Sequence, residues 1–98
     1  MVQDSARPVI LVADDDDDLR ALLAKALGTQ YEVKLAADGG DTLSIAGQAP
    51  PPDLILLDVN MPGATGFEVC QVLKEDPATT AIPVIFLTSK IEAADQVE

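Results

Sequence analysis

Polar residues stand where three apolar runs end: Asp14 and Asp15 after Val9-Ile10-Leu11-Val12-Ala13, Asp58 after Leu54-Ile55-Leu56-Leu57, and Thr88 after Ile82-Pro83-Val84-Ile85-Phe86-Leu87. Adjacent carboxylates held in a partly dry site repel one another, and a hard divalent cation is the simplest relief. Mg²⁺ takes carboxylates, a carbonyl and waters, so it suits a chain with no histidine and one cysteine better than zinc does. With metal on one side, Asp58 has the chemistry of a nucleophile toward phosphorus, forming an aspartyl phosphate. The metal and a hydroxyl donor such as Thr88 would stabilise the charge spread over the phosphoryl oxygens.

Plainer readings compete. In the run Asp14 to Asp18, Asp16, Asp17 and Asp18 fit helix capping and the positive end of a helix dipole. Asp14 and Asp15 precede that cap and are left for metal. An EF-hand loop fails, because Leu19 stands where glycine is required and Lys25 where the final glutamate belongs. Aspartate also forms turns, but Asp58 follows a fully apolar strand. Thr88 gains weight only from its place in the strand order. Cys70 reads as a small core residue on a helix, with no basic neighbour in sequence to make it a reactive thiolate. No phosphate-cradling glycine loop occurs, so nucleotide binding has no support.

The elements that must position these groups can be read in chain order. Residues 9–13 form a short buried strand. Leu19, Leu22, Leu23, Ala26 and Leu27 then draw one apolar helical stripe, with Arg20 and Lys25 off it and Gly28 as the C-terminal cap. Residues 31–36 alternate as an edge strand would, residues 37–41 turn, and residues 42–48 make a weak helix. After Pro50 to Pro52 comes a strand buried on both faces, ending at Asp58. Pro62, Gly63 and Gly66 turn the chain into a helix carrying Phe67, Val69, Cys70, Val72 and Leu73, which Asp76-Pro77 stops. Residues 78–81 are a loop, residues 82–87 another buried strand with Pro83 near its start, and residues 90–98 begin a helix with Ile91, Ala94 and Val97 inward. This order predicts an α/β doubly wound parallel sheet with helices on both faces, so that the acids gather beyond the strand ends where such sheets bind ligands.

Composition narrows the classes. Ninety-eight residues make one domain, and 48% hydrophobic residues with no tryptophan leave the core to aliphatic side chains. A net charge of −11 argues against direct nucleic-acid binding and against adhesion to anionic membranes, and favours a cation as ligand. The lone cysteine excludes an internal disulfide, and no apolar run approaches the roughly 20 residues that span a bilayer, so the expected setting is cytoplasmic.

From Val9 onward the residues resemble the CheY-like receiver domains of two-component response regulators. The resemblance rests on Val12-Ala13-Asp14-Asp15, Ala36-Ala37-Asp38-Gly39, Asp53-Leu54-Ile55-Leu56-Leu57-Asp58-Val59-Asn60-Met61-Pro62, Gly66-Phe67-Glu68-Val69 and Ile82-Pro83-Val84-Ile85-Phe86-Leu87-Thr88, in order and at the right separations. It implies a flavodoxin-like sheet of order 2-1-3-4-5. It also implies Mg²⁺ held by Asp14, Asp15, Asp58 and the Asn60 backbone carbonyl. Asp58 would accept a phosphoryl group from a kinase phosphohistidine or a phosphotransfer protein, and Thr88 would be the switch hydroxyl. Asn60 and Lys90 fall at positions that tune hydrolysis of the acyl phosphate.

The family's fifth strand, with its lysine and aromatic switch residue, and its fifth helix have no counterpart up to Glu98; Lys90 is not that lysine. The expectation is therefore a tail over residues 1–8 and a receiver over 9–98 that is incomplete at its C-terminus, of order 2-1-3-4, from a longer regulator carrying an output domain. Its fourth strand, left at the sheet edge, would pair with a second copy. Two other functions remain in play. One is a receiver-like interaction module that is never phosphorylated. The other is a Mg²⁺-dependent phosphatase of the haloacid dehalogenase type, which needs a second aspartate where Asn60 stands. A signalling module rather than an enzyme is expected.

Overall fold

The computed structural model describes residues 7–61 and 63–87. Its elements are β1 (Val9–Ala13), α1 (Asp17–Leu27), β2 (Glu32–Ala36), α2 (Gly39–Ala46), β3 (Leu54–Asp58), α3 (Gly66–Glu75) and β4 (Val84–Leu87). The strands form one parallel sheet in the order β2-β1-β3-β4. Consecutive crossovers run first toward one edge and then toward the other. Right-handed connections therefore set α1 on one face and α2 with α3 on the opposite face. The packing agrees: α1 lies on β1 and β2, while α2 touches α3 as well as the same two strands.

β1 is buried at all five positions because it is flanked by strands on both edges and by helices on both faces. Its odd-numbered side chains Leu11 and Ala13 join Ile55 and Leu57 of β3, Ala46 of α2 and Val69 and Leu73 of α3 in the main core. Met61 and Ile82, from the loops, close that core, and Cys70 packs against it, half-buried. Tying the far end of the layer, the Thr79 hydroxyl donates to Leu73 O at 2.7 Å and Lys74 Nζ to Ile82 O at 2.6 Å.

Five sequence expectations need correction. The inward face of α1 is formed by Leu19, Arg20, Leu23, Ala24 and Leu27, all half-buried, whereas Ala26 is exposed and Leu22 is 61% exposed. The helix is rotated because it rests along one line on β1 and β2, and both faces satisfy the same periodicity. α2 begins at Gly39 rather than Thr42, since the Asp38 carboxylate accepts from Asp41 N at 2.8 Å and caps the helix. It ends at Ala46. β2 and β4 start at Glu32 and Val84, with Tyr31, Ile82 and Pro83 outside them. β4 is also not buried: Ile85 is 52% exposed, and Phe86 is exposed against Phe67 of α3, their ring centroids 4.9 Å apart. Leu54 and Leu56, expected inside on both faces of β3, are half-buried. The expected helix over residues 90–98 lies outside the described residues.

This packing separates two leucines of like sequence appearance. Leu73→Ala, at a fully buried site, is expected to cost about 2–5 kcal/mol, and Leu22→Ala within about 0.5 kcal/mol of nothing. Urea unfolding of the two variants measures this, and similar losses would return Leu22 to the core.

Candidate functional site

Ala13 is in register with Ala36 on one side and Leu57 on the other, so Asp14 and Asp58 emerge side by side at the carboxyl ends of adjacent strands. Both are buried, and Asp15 beside them is exposed. One carboxylate oxygen from each of Asp14, Asp15 and Asp58 lies within 4.8 Å of the other two. The expected trio is thus brought together.

Asp14 is tied at every polar atom but one. Its N donates to Ala36 O at 3.1 Å, its carbonyl accepts from Arg20 Nη1 at 2.8 Å, and its Oδ1 accepts from Asp16 N at 2.9 Å. Asp58 Oδ1 accepts from Asn60 N at 3.1 Å. The remaining oxygens, Oδ2 of Asp14 and Oδ2 of Asp58, are buried and have no hydrogen-bond partner among the described residues. Orphaned acceptors of like charge are costly to bury, and hard-cation coordination satisfies both at once. Burial drives the Asp58 carboxyl above its ordinary pKa; the Asn60 N–H pulls the other way, and the Asp14 and Asp15 charges add to the rise. The all-oxygen donor set, one side open at Asp15, fits Mg²⁺ rather than zinc.

The rest of the aspartate run is structural, as expected: Asp16 caps α1, accepting from Asp18 N and Leu19 N, and Asp17 and Asp18 occupy the first turn. After Asp58 the chain turns through Gly63, whose φ of +86° suits glycine. Gly66 then presses α3 onto the strand end: its N donates to Val59 O at 2.8 Å, and a Cβ there would collide with the Asp58 carbonyl. Thr65 and Glu68 lock that helix start, Thr65 Oγ1 accepting from Glu68 N and Glu68 Oε1 from Thr65 N. The Thr-x-x-Glu spacing was available in the sequence for this box. Arg20 had no such signal, because its bond to the Asp14 carbonyl depends on how the β1–α1 turn folds back. A cleft between Asp38, Gly39, Gly40, Gly63 and Ala64 contains none of the three acids. Thr88 and Lys90 lie outside the described residues.

The family model for the response regulator receiver domain matches residues 10–98. Response regulator PleD of Caulobacter vibrioides (strain NA1000 / CB15N) is 46% identical over 90 residues, covering 91% of this chain. The chain spans only 20% of PleD's length. The crystal structure of the N-terminal domain of a response regulator receiver protein from Methanoculleus marisnigri JR1 is similar at 38% identity and a TM-score of 0.78, covering 90% of this chain and 74% of that one. The Mn²⁺-bound form of response regulator Rcp1 is similar at 31% identity and a TM-score of 0.76, covering 92% and 71%.

A raised Asp58 pKa makes the folded, metal-free chain bind a proton more tightly than the unfolded one. Stability therefore falls as pH rises from the ordinary carboxylate pKa through the raised one. Asp58→Asn removes that loss and lets the new amide donate toward Asp14. In EDTA the variant is expected to be more stable than wild type at pH 7, the gap closing toward about pH 4. Chemical unfolding at the two pH values checks this, and equal stability at pH 7 would refute the burial argument.

Proposed function

Since the chain belongs to the family of response regulator receiver domains, we propose that Asp58 accepts a phosphoryl group from the phosphohistidine of a sensor kinase or phosphotransfer protein and so switches a downstream output. The observation that carries this reading is the pair of buried oxygens, Asp14 Oδ2 and Asp58 Oδ2, that have no partner among the described residues, in acids that cluster with Asp15. Asp14, Asp15, Asp58 and the Asn60 carbonyl would hold Mg²⁺, and the Mn²⁺-bound relative supports a divalent ion in such a domain. When bound, the ion supplies charge neutralisation at the phosphoryl oxygens.

The protein's own groups set the direction of attack. Asn60 N–H fixes the Asp58 carboxylate by donating to its Oδ1, and the carboxylate oxygen that the ion does not engage would be the nucleophile. An O–P bond forms at that Asp58 oxygen as the P–N bond to the donor imidazole breaks, its electron pair leaving on that nitrogen. Asp14, fixed at three of its polar atoms, keeps its carboxylate beside Asp58 for the ion. Thr88 enters the proposal as the hydroxyl that turns toward the phosphoryl group, on the resemblance alone. Hydrolysis of external phosphate esters is not part of the reading, because the position two residues after Asp58 is Asn60, which lacks an acid/base carboxyl.

An output domain in a longer parent protein belongs to the same proposal, supported by the small share of PleD that the chain spans. So does a cytoplasmic setting, supported by the lone free cysteine. Among the described residues no helix is long and apolar enough to cross a membrane. Incubation with a small acyl phosphate and Mg²⁺, followed by intact mass, should add one phosphoryl group that is absent in EDTA and in Asp58→Asn. Metal binding without that addition would favour the unreactive interaction module, and sustained phosphate release from simple esters would favour a phosphatase.

The outer strand β4 adds a second expectation. Ile85 and Phe86 are exposed on it, and its position at the sheet edge among the described residues suits pairing with another copy of the chain. Sedimentation over a range of concentrations is expected to show association, and a monomer throughout would exclude it.

A further inference from the structure

We infer that Arg20 is a positioning residue for the divalent-cation site, holding the turn that carries Asp14 and Asp15 in its ligating shape. Its Nη1 donates to the Asp14 carbonyl at 2.8 Å, and its Nη2 pairs with Asp17 Oδ1. The guanidinium reaches back from the first turn of α1 to the end of β1 with its side chain only 18% exposed. Of the three bonds that fix Asp14, the other two are made by backbone N–H and C=O groups, of Asp16 and Ala36. Arg20 supplies the one that comes from another residue's side chain. With it in place, Oδ2 is the one polar atom of Asp14 without a partner among the described residues.

Side-chain type matters here. A planar fork can span a carbonyl and a carboxylate together, whereas an ammonium has no such fixed pair of donors. Asp17 is 86% exposed, so its ion pair contributes little stability. Its effect is to orient the guanidinium and offset a positive charge that would otherwise repel a cation close by. The two possible roles of Arg20 thus have opposite signs. As a bare charge it would weaken cation binding; as a clamp on the Asp14 turn it strengthens it.

The inference rests on the reading of Asp14, Asp15 and Asp58 as a Mg²⁺ site. It is tested on the whole 98-residue chain by calorimetric titration with Mg²⁺ and by thermal unfolding in EDTA, for wild type, Arg20→Met and Arg20→Lys. Arg20→Met is expected to bind Mg²⁺ about 10-fold more weakly, as for other residues that orient metal ligands. Arg20→Lys should fall between it and wild type. The Mg²⁺ concentration giving half-maximal phosphorylation should rise in parallel.

Unchanged or tighter Mg²⁺ binding in Arg20→Met overturns the inference, and so does a lowered melting temperature in both variants with wild-type affinity. Should Arg20→Met not fold, Arg20→Lys decides: weakened binding supports the clamp and wild-type binding rejects it. Wild type that binds no Mg²⁺ would instead sink the reading of the site, and the inference with it.

Discussion

Two carboxylates of like charge, Asp14 and Asp58, are buried next to each other because a parallel register leaves them nowhere else to go. Ala13 faces Leu57, and whatever follows each must emerge at the same edge. Repulsion and lost hydration both work against this arrangement. It persists because the surroundings are stiff. β1 is buried along its whole length, three hydrogen bonds fix Asp14, and the start of α3 is pressed against the backbone of Asp58. The stability of the core thereby holds two acids together in an arrangement that each of them alone would resist.

Much of this was legible in the sequence, because strand placement and the site depend on the same signal. Apolar runs ending abruptly in aspartate mark both the buried strands and the edge where Asp14 and Asp58 meet. The parallel, doubly wound sheet followed from the alternation of strands and helices, and its strand order from the resemblance to receiver domains. The capping role of Asp16 followed from its place before an apolar helix.

What could not be read depends on how each turn folds and which layer each element meets. Leu22 and Arg20 exchange their expected roles on α1, since periodicity gives a face but not which strand it meets. Gly39 and Gly40 look like turn residues, yet they begin α2 once Asp38 folds back to cap it. Ile85 and Phe86 are as apolar as any buried strand residue, and nothing in the described sheet covers them. Burial is a property of the partner layer, so composition alone does not report it.

The absent side chain at Gly66 has a mechanical consequence. Where a rotatable side chain separates two elements, small displacements are absorbed by a change of rotamer. Here the backbone of α3 bears directly on the backbone of Asp58, and the next residue, Phe67, leans on Phe86 of the outermost strand. The acid, the helix start and the sheet margin are thus coupled with almost no play between them.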